Sequence, residues 1–244
     1  MGSPKLYFEE GCCLEKAVVL LSGGRDSFLS ACIALENYIE IVPIFCNNGH
    51  IASMKRAEFV VRELQKRFSK DIVHDLVYLS TGMTMQAYLM GYLSASFLDI
   101  SRKYPYATPN QMQCLACKSA MYAHAIAFAK RSGRTHLIDG VRRQQGFFVD
   151  LDEMHVRFNK LCEDNRIELL TPVYELTSDC VRKRELCDRG FTTKVIEPQC
   201  FLACPLGCKM LTDQERGSLT KFYDEEIQPN LQPDIKRLES YMTW

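Results

Sequence analysis

The chain has 244 residues, and its 30 acidic and 30 basic side chains give a formal net charge of zero at pH 7. This length suits one α/β domain of generous size, and a hydrophobic content of 47% is enough to form a core. The zero net charge argues against a strong, diffuse nucleic-acid-binding surface. No apolar run reaches the roughly 20 residues of a membrane span, and the start of the chain lacks a signal-peptide pattern. We therefore expect a cytoplasmic protein that does not associate with membranes.

Hydrophobic periodicity alternates between strand and helix along most of the chain. Short β-branched runs predict strands over 18–21, 39–45, 72–79, 136–139 and 167–170. Apolar residues that recur every three to four positions predict helices over 28–37, 54–68, 84–100, 115–131, 153–163 and 178–189, with one or two more near the C-terminus. This alternation implies an α/β fold in which helices flank a parallel sheet.

Proline and charge patterns add local expectations. Pro43 lies within the second predicted strand, which should therefore be an edge strand or irregular. Residues 101–113 contain two prolines and are predicted to form a loop. The basic run 182–184 is interpreted as an exposed helix face rather than an RNA site.

The hexapeptide SGGRDS at positions 22–27 follows the first predicted strand and opens the first predicted helix. Backbone N–H groups of a glycine turn and a helix N-terminus favour a bound phosphate. Gly23 and Gly24 let the phosphate approach the backbone. Ser22 and Ser27 can add hydroxyl donors, while Asp26 is a candidate Mg²⁺ contact or helix cap. The G-x-x-x-x-G-K-[ST] spacing of a Walker loop is absent.

SGGRDS resembles the SGGxDS loop of the PP-loop ATP pyrophosphatases, which directly follows the first strand in that family. The resemblance covers most of the chain and implies a Rossmann-like fold, bound ATP and Mg²⁺, and cleavage of ATP to AMP and pyrophosphate as a substrate oxygen is adenylated. It divides the chain into a nucleotide-binding α/β domain over 1–198 and a cysteine-rich loop with C-terminal helices over 199–244, packed on the same domain. The implied ATP-binding residues are Leu21, Ser22, Gly23, Gly24, Arg25, Asp26, Ser27, Phe45 and Gly140.

Ligands of open parallel sheets bind beyond the carboxyl ends of the strands. This rule places residues 22–27, 46–50 and 140–143 along one rim. Arg142 and Arg143 are candidates to neutralise the charge of pyrophosphate as ATP is cleaved. Lys118 and Asp26 are further candidates for catalytic roles. A solvated loop at 142–143 is the alternative. His50 on the rim is a candidate contact to substrate or phosphate.

The chain contains 12 cysteines, which in a cytoplasmic protein favour thiols, metal ligands or catalytic groups over disulfides. Cys114 and Cys117 form a C-x-x-C pair whose two thiolates can face one metal ion. The predicted helix start beyond Cys114 would lower the pKa of these thiols. A second group consists of Cys200, Cys204 and Cys208. Metal or redox chemistry is favoured here over simple packing.

The segment from Cys114 to Gly140 is similar to part of the tRNA 2-thiocytidine and thiouridine synthetases. In that family a C-x-x-C and a distant third cysteine hold a [4Fe–4S] cluster. The resemblance implies that Cys114, Cys117 and one of the three late cysteines bind a cluster, and that sulfur from a donor protein reaches an adenylated tRNA base. The chain departs from that family after Gly140, where G-H-x-x-D-D is replaced by Gly-Val-Arg-Arg.

Two alternatives remain open at this point. Residues 171–190 and the order of the parts resemble 7-cyano-7-deazaguanine synthase, which implies a small-molecule carboxylate as acceptor and Zn²⁺ as a structural metal. The third interpretation is a nucleotide- or redox-sensing protein without catalysis. If the substrate is tRNA, a homodimer could assemble a basic groove despite the neutral charge of one chain.

Overall fold

Five parallel strands form the centre of the protein. The computed structural model describes residues 15–37, 39–49, 54–90, 97–143, 147–193 and 210–241. The strands lie in the order β3-β2-β1-β4-β5, and all four neighbouring pairs are parallel. Their bounds are β1 (Glu15–Leu20), β2 (Ile39–Asn47), β3 (Val77–Ser80), β4 (His136–Ile138) and β5 (Glu168–Leu170). The predicted parallel α/β fold of the Rossmann type is therefore confirmed.

Helices cover both faces of this sheet. Successive side chains of a strand point to opposite faces, and in β1 Val18 packs into one apolar cluster while Ala17 and Val19 pack into the other. Such burial on both faces explains why the strand is an unbroken apolar run. The helices are α1 (Arg25–Glu36), α2 (Lys55–Phe68), α3 (Gly82–Met90), α4 (Phe97–Lys103), α5 (Pro109–Arg131), α6 (Asp152–Asp164), α7 (Asp179–Asp188), α8 (Asp213–Phe222) and α9 (Gln228–Tyr241).

The irregularity expected at Pro43 is present, but the strand is not at an edge. β2 lies between β1 and β3. Ile44 pairs with Val77 in the regular ladder, and before it Ile41 forms an isolated bridge with Val73. The partner segment therefore has one extra residue opposite Pro43. Because proline has no N–H to donate, a bulge at this point avoids leaving a ladder acceptor unmatched.

The region predicted as one helix over 84–100 and a loop over 101–113 is arranged differently. It contains α3 and α4, and α5 begins at Pro109, six residues before the predicted start. Thr108 is the N-cap and its hydroxyl accepts a hydrogen bond from Gln111 N–H. A Thr-Pro pair at N-cap and N1 is a helix-start signal, which the loop prediction overlooked.

The C-terminal residues of the described range form an almost continuous helical segment. A capping box between Thr212 and Glu215 begins α8, and a π turn over Tyr223–Ile227 joins it to α9. The last helix packs along α5. In the part of the chain that the structure describes, no helix combines the length and the apolar character that crossing a bilayer requires.

Candidate active site

A cavity of about 370 Å³ opens at the carboxyl ends of β1, β2 and β4. The strand order reverses at β1, where β2 lies on one side and β4 on the other, and such switch points are the usual ligand sites of open α/β sheets. The loop after β1, the end of β2, one face of α5 and the loop after β4 contribute to the walls. The lining includes every residue of the predicted ATP-binding set except Gly23, and other lining residues are Cys46, Asn48, Cys114, Cys117, Lys118, Asp139 and Asp150.

The loop over residues 22–27 is closed by its own hydrogen bonds. The hydroxyl groups of Ser22 and Ser27 lie 3.1 Å apart, the N–H of Gly24 donates to Ser22 Oγ at 3.3 Å, and Ser27 Oγ donates to the carbonyl of Gly24 at 3.1 Å. Gly24 is the N-cap of α1 and provides no side-chain cap. The first N–H groups of α1 thus keep their capacity to bind an anion.

Two glycines are required where backbone segments meet at this loop. Gly23 has a φ of +83°, and a Cβ there would lie 2.6 Å from the backbone nitrogen of Ala57 in α2. A Cβ on Gly140 would lie 2.6 Å from the backbone nitrogen of Ser27. A side chain at Gly23 would therefore push the loop after β1 away from α2, and a side chain at Gly140 would separate the loop after β4 from the start of α1.

Asp26 is held between two guanidinium groups. Arg142 Nε donates to Asp26 Oδ2 at 2.7 Å, and Arg182 Nε lies 2.6 Å from Asp26 Oδ1. Arg143, the other basic residue predicted to act on pyrophosphate, is directed to a different place, where its guanidinium contacts Asp152 at 2.9 Å and Glu175 at 3.2 Å. Of the two predicted arginines, only Arg142 contacts the loop over residues 22–27.

Lys118 belongs to a buried polar cluster on the floor of the cavity. Its ammonium group lies 2.6 Å from Asp139 Oδ2, which also accepts a hydrogen bond from Tyr122 Oη at 2.8 Å. Asp139 is 3% exposed. The carboxylate therefore fixes the direction of Lys118, the predicted catalytic lysine, toward the cavity.

Asp150 brings a second carboxyl group into this cluster. Burial raises the pKa of Asp150 to about 7, although the positive charges of Lys118 and Arg142 act in the opposite direction and Asp139 adds to the rise. The carboxyl group therefore titrates near neutral pH in a cavity that it also lines. Nothing in the spacing of the sequence indicated this residue, because its burial depends on packing between elements that are distant in sequence.

We expect Asp150→Asn to change the pH dependence of stability. The unfolded carboxyl group ionises near its ordinary pKa of 3.8, whereas the folded one stays protonated up to about 7. Burial of the charge therefore costs stability progressively as pH rises through this window. We therefore compare the unfolding free energy of Asp150→Asn with that of the unmodified protein at each pH. This difference should shift in favour of the variant by up to about 4 kcal/mol between pH 4 and pH 8. Urea unfolding at each pH measures it.

Asp188→Asn is the matched control, because Asp188 is exposed at the end of α7. Its effect on unfolding free energy should be small and flat over the same pH range. An equally flat difference for Asp150→Asn would contradict the buried, proton-binding state inferred for Asp150.

Three cysteines line the cavity. Cys114 and Cys117 lie one turn apart on α5, so their thiols share a face, and Asn48 Nδ2 donates to Cys117 Sγ at 3.1 Å. Cys46 at the end of β2 is 5% exposed, and burial raises the pKa of its thiol. Because α5 begins at Pro109, Cys114 lies in its second turn and Cys117 in its third, so the argument that places both thiols at a helix start does not hold.

The candidate ligands near the C-terminus, Cys200, Cys204 and Cys208, lie outside the described residues, as does His50. Among the residues that the structure does describe, no three His, Cys, Asp or Glu side chains are grouped so that they could hold a metal ion. Cys114 and Cys117 therefore supply two thiols facing one cavity, and a third ligand would have to come from another segment.

The basic run 182–184 is only partly an exposed face. Arg184 is exposed, but Arg182 is 2% exposed and contacts Asp26. The exposed-face prediction is wrong for Arg182. Its signal in the sequence was weak, since helical periodicity places Arg182 on the same face as the buried Leu186, and a residue four positions from an apolar one can be basic on a partly buried face.

The fold and the site together define a PP-loop α/β protein. The glycine turn directly follows the central strand β1, leads into α1 and borders a cavity at the switch point of a parallel sheet. A family profile described as "Thiamine biosynthesis protein (ThiI)" matches residues 12–156, which is more than half of the chain. The chain belongs to this ThiI family.

Individual proteins that are similar to this chain are consistent with the family assignment. A probable tRNA sulfurtransferase of Methanobrevibacter smithii is 27% identical over 125 residues, which are 51% of this chain and 29% of the relative. A probable tRNA sulfurtransferase of Methanosarcina mazei is 26% identical over 148 residues, 60% of this chain and 33% of the relative. The aligned part of this chain thus spans about a third of the length of the curated relatives it matches.

A solved structure described as a 4-thiouridine synthetase–RNA complex with bound ATP has the same fold. The TM-score is 0.63 at 16% sequence identity, over 93% of this chain and 54% of the other. At this identity the likeness establishes the fold alone.

Proposed function

We propose that the protein uses ATP to adenylate a carbonyl oxygen of a tRNA nucleobase, which sulfur then replaces. The observation that carries this proposal is that one cavity is lined both by the phosphate-type loop over 22–27 and by the thiol pair Cys114 and Cys117. Activation and sulfur transfer need their groups within reach of the same substrate carbonyl group, since the first acts on its oxygen and the second on its carbon. The two features lie far apart in the sequence and meet only in the fold.

The first step follows from the residues around the loop. Backbone N–H groups at the start of α1 bind the phosphates of ATP, and Ser22 and Ser27 add hydroxyl donors. The base carbonyl oxygen attacks the α-phosphorus, and the bond to the bridging oxygen of pyrophosphate breaks. Arg142 and Lys118 offset the negative charge that builds up on the leaving group. Mg²⁺ bound to the phosphates would supply further charge neutralisation.

The second step assigns a role to the cysteines. Sulfide attacks the activated carbon of the base, the bond from this carbon to the adenylated oxygen breaks, and AMP leaves with the former carbonyl oxygen, so no oxidant or reductant is needed. Cys114 and Cys117 with one of Cys200, Cys204 and Cys208 would hold a [4Fe–4S] cluster, which when bound supplies a site for sulfur. Two thiols on one helix face fit such a group, and a separate sulfur donor protein remains a prediction, as does a homodimer.

The comparisons support the choice of substrate. Both archaeal relatives carry names that denote sulfur transfer to tRNA, and the solved structure with the same fold holds ATP and RNA. The fold alone serves many chemistries, so it is the coincidence of these names with the thiol-lined cavity that favours thiolation over nitrile formation.

The test is to incubate the protein, purified without oxygen, with ATP, Mg²⁺, sulfide and unmodified tRNA. Pyrophosphate release and thionucleosides in the digested tRNA are measured together. Both products support the proposal. Pyrophosphate with a carboxylate acceptor and no thionucleoside would instead point to the ligase alternative, and nucleotide binding without pyrophosphate to a sensing protein. Iron and labile sulfide assays separate a cluster from zinc.

A further inference from the structure

Arg182 is buried; its two terminal nitrogens donate hydrogen bonds, and its Nε is within ion-pair distance of Asp26. Nη1 donates to the carbonyl oxygens of Leu176 and Thr177 at 3.0 and 2.9 Å. Nη2 donates to Asp179 Oδ1 at 3.1 Å, and Nε lies 2.6 Å from Asp26 Oδ1. The planar fork of arginine suits such a set of fixed acceptors, which lysine cannot satisfy together.

The engagement joins two parts of the protein that are distant in sequence. Arg182 is on α7, beyond the segment 12–156 matched by the family profile, whereas Asp26 is in the first turn of α1 and lines the cavity. A second ion pair, between Arg25 and Asp179 at 2.8 Å, connects the same two elements. The start of α7 is therefore fastened to the phosphate loop by charge.

Asp26 also contacts Arg142, so the carboxylate connects Arg182 to Arg142. Its other carboxylate oxygen accepts the Nε–H of Arg142 at 2.7 Å, so one carboxylate is held between two guanidinium groups. The contact uses the Nε side of Arg142, and among the described residues its terminal nitrogens have no hydrogen-bond partner. Arg142 directly follows Gly140 and Val141, which line the cavity.

We propose that Arg182 is a positioning residue for ATP cleavage: through Asp26 it sets the direction of Arg142, whose terminal nitrogens then meet the departing pyrophosphate. The inference rests on the proposed function. It adds a residue of α7 to the machinery and gives Asp26 the role of a bridge between two arginines. The loop that binds the phosphates in the ground state closes through Ser22, Gly24 and Ser27, without the Asp26 carboxylate.

Because the loop closes without the Asp26 carboxylate, we expect loss of the Arg182 contact to lower kcat rather than the affinity for ATP. Removing a restraint on a charge-stabilising group costs about 100-fold in rate when that group moves by about 1 Å. We expect Arg182→Met to lower kcat for tRNA-dependent pyrophosphate release by about this factor, with KM for ATP changed less than about threefold. Arg182→Lys keeps one contact to Asp26 and should recover about tenfold of the loss.

Arg184→Met is the control, because it removes the same charge from an exposed position of the same helix; its kcat should stay within about twofold of the unmodified protein. Asp26→Asn and the double variant Asp26→Asn with Arg182→Met should have equal kcat, since Arg182 acts through Asp26. Circular dichroism confirms that each variant is folded under assay conditions.

The outcomes distinguish a failure of the proposed function from a failure of the positioning role of Arg182. If the unmodified protein releases no pyrophosphate with tRNA, the proposed function fails and takes this inference with it. If the unmodified protein is active but Arg182→Met behaves like Arg184→Met, or its effect multiplies with that of Asp26→Asn, only the positioning role is overturned. A loss confined to KM would likewise overturn it.

Discussion

Gly140→Ala should abolish nucleotide binding at the loop over 22–27. The added Cβ would lie 2.6 Å from Ser27 N and 2.7 Å from Ser27 Cα. Both are backbone atoms at the start of α1, which cannot move aside as a flexible side chain would. The strand end and the helix start must separate, so the N–H groups at the start of α1, which the proposed function assigns to the phosphates of ATP, lose their common direction. We expect affinity for ATP to fall at least about 100-fold, with a cost in stability of about 1–3 kcal/mol.

Titration calorimetry with ATP and Mg²⁺ measures the affinity, and urea unfolding measures the stability. Gly217→Ala is the matched control, because a Cβ at this position in α8 has no atom within 4 Å. It should leave ATP affinity unchanged and add about 0.5–1 kcal/mol of stability by reducing the entropy of the unfolded chain. A folded Gly140→Ala protein that still bound ATP normally would place the nucleotide elsewhere.

Replacing both Cys114 and Cys117 by serine should separate the two steps of the proposed reaction. Thionucleoside formation should fall below detection, because serine supplies no thiolate to hold a sulfur-carrying group. Pyrophosphate release in the presence of tRNA should remain within about tenfold, since the phosphate loop and Lys118 are retained. Mass spectrometry of digested tRNA and a pyrophosphate assay on the same sample give both values.

Cys180→Ser with Cys187→Ser provides the control for this experiment. Both thiols are exposed on α7, so their removal should leave thionucleoside yield and pyrophosphate release unchanged. Loss of pyrophosphate release together with thiolation in the Cys114→Ser, Cys117→Ser protein would show that these cysteines serve activation or folding. Normal thiolation in that protein would remove them from the sulfur step.

Features that depend on neighbouring residues could be predicted from the sequence. β-Branched runs and helical periodicity identified every strand of the described sheet and most of its helices, because a strand buried on both faces and an amphipathic helix each carry a local pattern. The glycine turn after β1 was recognisable for the same reason, since turn, strand and helix start are contiguous. The parallel sheet and the rim containing residues 22–27 and 140–143 follow from that order.

Predictions were wrong where two local patterns conflicted, or where the structure at a residue depends on contacts with distant parts of the chain. Thr108 and Pro109 mark the start of α5, but the prolines around them suggested a loop. Pro43 signalled an irregular strand correctly, yet whether that strand lies at an edge depends on which neighbours pair with it. The expected exposure of Arg182 was wrong because its guanidinium contacts Asp26, which comes from another part of the chain.

The sequence by itself determined that this is a parallel α/β protein. It also determined that a glycine loop with the pattern of a phosphate-binding loop follows the first strand and that a C-x-x-C pair lies on a later helix. Only the tertiary structure decided which charged groups meet. Asp26 and Arg142 are separated by 116 positions, and the partners of Lys118 and the burial of Asp150 likewise come from different elements. Periodicity reports which face of an element is apolar, whereas ion pairs and pKa shifts depend on distances between elements, which no local pattern encodes.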